Sequence, residues 1–250
     1  MPEIVHLSRA PIIEALVNFQ ANASRLWKPD EIRPALVACW PEHAEVQEIR
    51  PVKVEVTHTP EGHLPPKVTF PPMEGFIFRS TTKPAVVHQA RRDGYTFSRL
   101  APYEDWHTLE AEARAGWAEY QAVLEPEELH AVAVRFINRV EFPMEGFKLS
   151  RYFTTPPVSP PELGWQFHGF MHQTLYAVPG SPCVVKVILA SAFGATPGDS
   201  VAFIMDIEVT LKESLSATGR EMDAVLAEMH DLKNKAFFHL LTDDSIQLYK

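Results

Sequence analysis

Twice along this chain a run of alternating apolar and polar residues passes directly into a stretch with helical spacing, once from Gly94 to Gln121 and again from Ser200 to Leu241. Alternation puts every second side chain on one face of a strand, while apolar positions three and four apart share one face of a helix. In the first half, Leu7 to Phe19 is an apolar, β-branched run that predicts a largely buried strand, with Pro11 near its start withholding only one backbone donor. Pro29 then opens a short helix in which Ile32, Leu36, Cys39 and Trp40 recur at helical spacing until Pro41. Val52, Val54 and Val56 alternate with Lys53, Glu55 and Thr57, which predicts a strand with one wet face. Thr59 to Pro72 holds five prolines and reads as an irregular loop with a short edge strand at Lys67 to Phe70. Phe76 to Arg79 and Ala85 to Arg91 follow as strands. Asp93-Gly94 is a tight-turn signal that pairs Ala85 to Arg92 with Tyr95 to Leu100. From Pro102 to Gln121 the spacing is helical, with Trp106, Leu109, Ala113, Trp117 and Tyr120 near one face.

The second half opens on Ala131 to Phe142, where Val132, Val134, Phe136, Val140 and Phe142 share one strand face, and Arg135, Ile137, Arg139 and Glu141 the other. Thr154 to Pro161 is a second proline-rich loop. Trp165 to Val178, Cys183 to Ala190 and Val201 to Leu211 read as strands, and Gly219 to Leu241 as a helix with the stripe Met222, Leu226, Met229, Leu232, Ala236, Phe237 and Leu240. Ile246 and Leu248 suggest a last edge strand within Thr242 to Lys250. The expected fold is therefore α+β: a predominantly antiparallel, curved sheet or sheets with long helices packed on one face. Element order suggests a pseudo-duplication into two similar halves, 1–125 and 126–250, forming one compact unit, although no residue-by-residue repeat joins them.

Composition narrows the setting. At 250 residues, 46% hydrophobic and 22% charged, the chain has the balance of an ordinary soluble globule. Its apolar runs fall well short of the ~20 residues of a membrane span, so no membrane partner is expected. The opening Met1-Pro2-Glu3-Ile4-Val5-His6 lacks the pattern of a cleaved signal. Two distant cysteines, Cys39 and Cys183, fit buried thiols in a reducing cytoplasm. A formal charge of -9 argues against nonspecific nucleic-acid binding.

Candidate chemistry is sparse. In the block from Asp93 to Trp106, Arg99 and Tyr103 could stand at a groove mouth, where an Arg fork and a phenol would hold an anion or a planar group; packing between helix and sheet is the plainer alternative. Arg135, Arg139 and Glu141 form a second cluster, either a cross-strand ion-pair network or part of the same site. Arg99, Arg135 and Arg139 are expected on a common polar face or cavity mouth where the two halves meet. Asn138 falls on the apolar face of its strand, a place for an amide that braces a bulge or loop. His168 and His172 lack a third ligand and a helical setting, so no metal is expected. Ser98 and Ser191 lack the glycine framing of a nucleophile elbow, and there is no GxGxxG or phosphate loop. No cofactor and no catalytic residue is therefore expected. His230-Asp231, with Lys233, Asn234 and Lys235, reads as a solvated helix face.

Four segments together resemble a bacterial family of sporadic distribution with no assigned activity: Leu7 to Ala15, Asp93 to Trp106, Arg135-Phe136-Ile137-Asn138-Arg139, and His230 to Thr242. The resemblance implies no reaction. Its patchy distribution implies carriage on mobile DNA, and through that a role in conflict systems such as toxin neutralisation or phage defence. The expectation is a cytoplasmic, antitoxin-like or defence-associated binding protein whose protein partner is encoded nearby. The alternative is an enzyme or sensor of a small anionic ligand, with Arg99, Tyr103, Arg135 and Arg139 lining a sheet cavity. Oligomeric state has no signature in the sequence.

Overall fold

The computed structural model describes residues 7–43, 45–56, 58–59, 62–63, 65–126, 128–158, 160, 162, 164, 168–192, 200–213 and 220–250. In chain order the elements are β1 (Ile12–Ala21), α1 (Pro29–Cys39), β2 (Glu45–Ile49), β3 (Lys53–Glu55), β4 (His58–Thr59), β5 (Gly62–His63), β6 (Lys67–Thr69), β7 (Gly75–Arg79), β8 (Val86–Arg91), β9 (Gly94–Leu100) and α2 (Trp106–Leu124). The chain continues with β10 (Leu129–Pro143), α3 (Leu149–Tyr152), β11 (Met171–Ala177), β12 (Val184–Ser191), β13 (Ser200–Leu211), α4 (Arg220–Leu240) and α5 (Asp243–Gln247). The fold is α+β, built on one open, antiparallel sheet of nine strands in the order β11-β12-β13-β10-β1-β9-β8-β7-β2.

The alternation read in β1 and β10 sets which face is covered. Ala15, Val17 and Phe19 are fully buried, and in the paired register Ala15 stands opposite Phe136 and Phe19 opposite Val132. Phe19 stacks on Trp117 of α2 with ring centroids 5.0 Å apart, while Phe136 lies near His230 of α4. Both long helices therefore cover the same face of the sheet. That burial is the main drive for the fold, since an amphipathic helix draws most of its stability from packing. α2 is started by Asp105, whose carboxylate accepts the Thr108 amide at 2.7 Å. At the β8–β9 turn, Gly94 has φ 147°, and a Cβ there would stand 2.2 Å from the Phe19 carbonyl oxygen, so only glycine lets β9 lie this close to β1.

The two expected halves contribute to a single sheet, joined where β1 pairs with β10. From β1 the strands run outward as β9, β8, β7 and β2, and from β10 as β13, β12 and β11. Five strands against four fixes no correspondence of residues, so the duplication stays a matter of element order.

Two expectations need correction. β3 pairs with β6 in a ribbon outside the main sheet, and Val52, Val54 and Val56 are all more than half exposed, so both faces are wet where one was expected to be dry. Among the described residues no second layer lies over the ribbon to bury its valines. The segment Thr242 to Lys250 forms the short helix α5, not an edge strand: Thr242 accepts the Ser245 amide as a cap, and Ile246 is buried beneath it. A three-residue alternation is too short to outweigh that cap. The strand expected at Trp165 begins at Met171, with 165–167 outside the described residues, and the helix expected from Pro102 begins at Trp106.

Candidate functional site

The stripe of α4 that faces the sheet contains a lysine. Leu226, Met229 and Phe237 are buried along one side of the helix, and Lys233 occupies the position between Met229 and Phe237 with 7% of its surface exposed. Its ammonium nitrogen lies 4.0 Å from the centroid of the Phe136 ring on β10. No ion pair links Lys233 to a carboxylate among the described residues. Burial alone pushes its pKa down to about 7.

Polar side chains gather around it. Asn234, also buried, lies 3.3 Å from His230 Nε2 through its amide nitrogen, which makes Nε2 the acceptor. The His230 ring stacks on Trp106 at 4.6 Å and 8°, and burial, with the nearby Lys233 adding to it, lowers its pKa to about 4. From β10 comes Asn138, 2% exposed, whose amide donates to the carbonyls of Met205 (3.0 Å) and Phe136 (3.3 Å). It stands opposite Ile12, where the pairing of β1 with β10 slips by one residue, but its amide ties β10 to β13 and not to the bulged strand. The segment before β1 closes one side. It is tied to the C-terminus by Arg9, whose amide donates to the Tyr249 carbonyl and whose guanidinium donates to the Leu248 carbonyl at 2.8 Å.

Together these elements enclose a pocket of about 320 Å³ lined by Pro11, Tyr103, Trp106, Asn138, His230, Lys233, Asn234 and Phe237 among others. Glu104 and Asp105 also line it, but Glu104 is held by Arg99 and Asp105 caps α2. Lys233 is thus the charged group of this pocket left without a charged partner. The site combines one desolvated amine, two side-chain amides, a neutral imidazole and an aromatic platform.

Of the four residues singled out from sequence, only Tyr103 lines this pocket, with its ring edge-on to Phe136 at 5.8 Å. Arg99 lies on the helix-covered face, where Glu112 takes Nε at 3.1 Å and Nη2 at 2.8 Å, and Glu104 takes Nη1 at 2.7 Å. Arg135 lies on the opposite, helix-free face and makes a two-pronged pair with Asp206 at 2.8 and 2.5 Å. Arg139, on the same face as Arg135, pairs with Glu141 at 2.8 Å and lines a separate open groove with Arg9 and Tyr249. The three arginines therefore do not share one face or cavity mouth: Arg99 and Arg135 stand on opposite sides of the sheet because their positions have opposite parity in the paired register.

Sequence reading assigned His230 and Lys233–Asn234 to a solvated helix face. Only Asp231 and Lys235 of that run are exposed. The signal was present, since Lys233 falls four residues after Met229 and four before Phe237, inside the apolar stripe itself. All four segments on which the family resemblance rests contribute to this pocket or flank it. No family model matches the chain, and no curated protein and no solved structure matches it either.

Proposed function

We propose that the protein binds a small anionic ligand in the pocket beneath α4, with Lys233 supplying the positive charge, Asn138 and Asn234 the hydrogen bonds, and the Trp106–His230 stack a platform for a planar group. This keeps the ligand-binding alternative read from the sequence but moves its cation from the arginines to a lysine. The observation that carries it is the burial of Lys233 without an ion pair among the described residues. A buried amine in this state costs folding free energy, because water solvates the charged form far better than the interior does. Proteins retain such costs mainly at sites where the group is used. A bound anion would return the missing charge partner and raise the lysine pKa again.

The test is the sign of a stability change. Lys233→Met keeps the length and apolar stem of the side chain and removes the amine. The expected outcome is a variant more stable than the parent by about 0.5 to 2 kcal/mol. The same variant should lose the thermal stabilisation that small carboxylates or phosphates give the parent. A clearly destabilised Lys233→Met protein, or one still stabilised by those anions, would assign the lysine to the fold and remove the site. The lysine is charged below about pH 7 and uncharged above it, so anion stabilisation should weaken as pH rises through that value.

A further inference from the structure

We propose that Lys233 is the nucleophile of this pocket and condenses with a carbonyl-bearing small acid, an aldehyde acid or 2-oxo acid, to form an imine. This deepens the ligand-binding reading above and depends on the pocket being a ligand seat. The placement of the amine supports it. A lysine that only holds an anion works best charged, at a wet surface, whereas this one is buried against the Phe136 ring and makes no ion pair among the described residues. Desolvation of this kind is one of the established ways in which proteins activate lysine amines. The single cation also becomes intelligible. After condensation the protonated imine carries the positive charge, and it stands next to the ligand's own carboxylate, so the pair neutralises itself without a second basic side chain.

The chemistry balances without an oxidant or reductant. The amine lone pair attacks the carbonyl carbon, the nitrogen gives up a proton as the carbonyl oxygen takes one up, and the resulting carbinolamine takes one further proton from solvent on its hydroxyl, which leaves as water as the C=N bond forms, so the product is the protonated imine. His230 stands in the same pocket, neutral because burial holds its pKa near 4, with its Nε2 hydrogen-bonded to Asn234. That bond leaves Nδ1 as the protonated nitrogen, so His230 adds no second positive charge to the pocket, and the protons of addition and dehydration are exchanged with solvent through the pocket mouth. The pocket, at about 320 Å³, has room for a small acid of this class.

The reactive fraction gives the size of the expected effect. At pH 7 about half of the Lys233 side chains are unprotonated. An exposed lysine near its ordinary pKa is unprotonated in only roughly one molecule in 2,500. Lys235, two residues further along α4 and exposed, is the internal control. The full-length protein is treated at about pH 7 with glyoxylate or pyruvate and sodium cyanoborohydride, and reduced adducts are located by peptide mass spectrometry. Modification of Lys233 at least ~10-fold faster than of Lys235 is the expected result, since a desolvated amine is the more nucleophilic one. Equal rates, or no adduct at Lys233 with either probe, would overturn the imine. Thermal shifts with oxalate, an anion without a reactive carbonyl, separate the two readings. A shift with oxalate but no adduct leaves the ligand seat standing and removes the imine, whereas neither shift nor adduct removes both.

Discussion

At the scale of single residues, burial decides the chemistry of several titratable groups at once. His88 on β8 is 7% exposed, stacks against Trp40 and lies 2.7 Å from the Tyr95 hydroxyl through Nδ1. His43 packs edge-on against it at 4.5 Å, with neither ring nitrogen hydrogen-bonded among the described residues. Burial drives His88 down to about 3, with His43 adding to the effect; burial also lowers His43, against the opposing pull of Glu42 and with the help of Lys83. Because the folded state holds these rings neutral while the unfolded chain takes up protons near pH 6.5, the unfolded state binds more protons between about pH 6.5 and pH 3. Stability should therefore fall as pH drops through that window. Melting temperatures from about pH 7 to about pH 4.5 should decline more steeply in the parent than in His88→Phe, and parallel curves would rule the ring out as a source of acid lability.

The arginines divide on the same principle. Asp206, the partner of Arg135, is 4% exposed, whereas Glu141, the partner of Arg139, is open to solvent. Removing Arg135 strands a buried carboxylate, so Arg135→Ala should cost about 1 to 3 kcal/mol. Arg139→Ala removes a solvent-exposed pair and should cost ~0 to 1 kcal/mol. Denaturant melts of the two variants would test this, and equal losses would show that the burial of Asp206 does not govern the pair.

At the scale of elements, the helices hold the sheet through close, specific contacts. Where α2 crosses β9, a Cβ on Gly116 would lie 1.9 Å from the Tyr95 hydroxyl oxygen and 3.2 Å from His88 Nδ1. Alanine in a helix interior is normally worth roughly 1 kcal/mol over glycine. Here the overlap dominates, because Tyr95 is fully buried and has no room to retreat. Gly116→Ala should therefore destabilise by about 1 to 3 kcal/mol, as overpacking does, and calorimetry showing a gain instead would mean that the ring can move aside. α4 has the complementary arrangement: its stripe accepts a lysine because Phe136 offers a ring face and the pocket beside it stays open. The periodicity of both helices and of β1, β9, β10 and β13 was legible from sequence, since each is long enough to repeat its pattern several times. β3 and β6 were legible as strands, but the dry face expected of β3 and the edge strand expected where α5 lies were misread, because each is only three to five residues long, too short for periodicity to outweigh a cap or to tell whether a layer covers it.

At the scale of the whole molecule, one face of a nine-stranded sheet is covered by α2 and α4, and the pocket lies where the two halves of the chain meet on that face. Its parts come from the segment before β1, the start of α2, the middle of β10 and the last turns of α4, residues spread along the chain from Leu7 to Phe238. By itself the sequence determined the fold class, most strands and helices, and the amide at Asn138, because alternation and helical spacing are local and survive without knowledge of the neighbours. Only the tertiary structure decided that Arg99 and Arg135 stand on opposite faces and that Lys233 is buried without an acid. Those outcomes depend on strand register and on which helix face meets the sheet. Both are set by the packing of segments distant in the chain, and a lysine within an apolar stripe shows its meaning only when the surface that covers it is known.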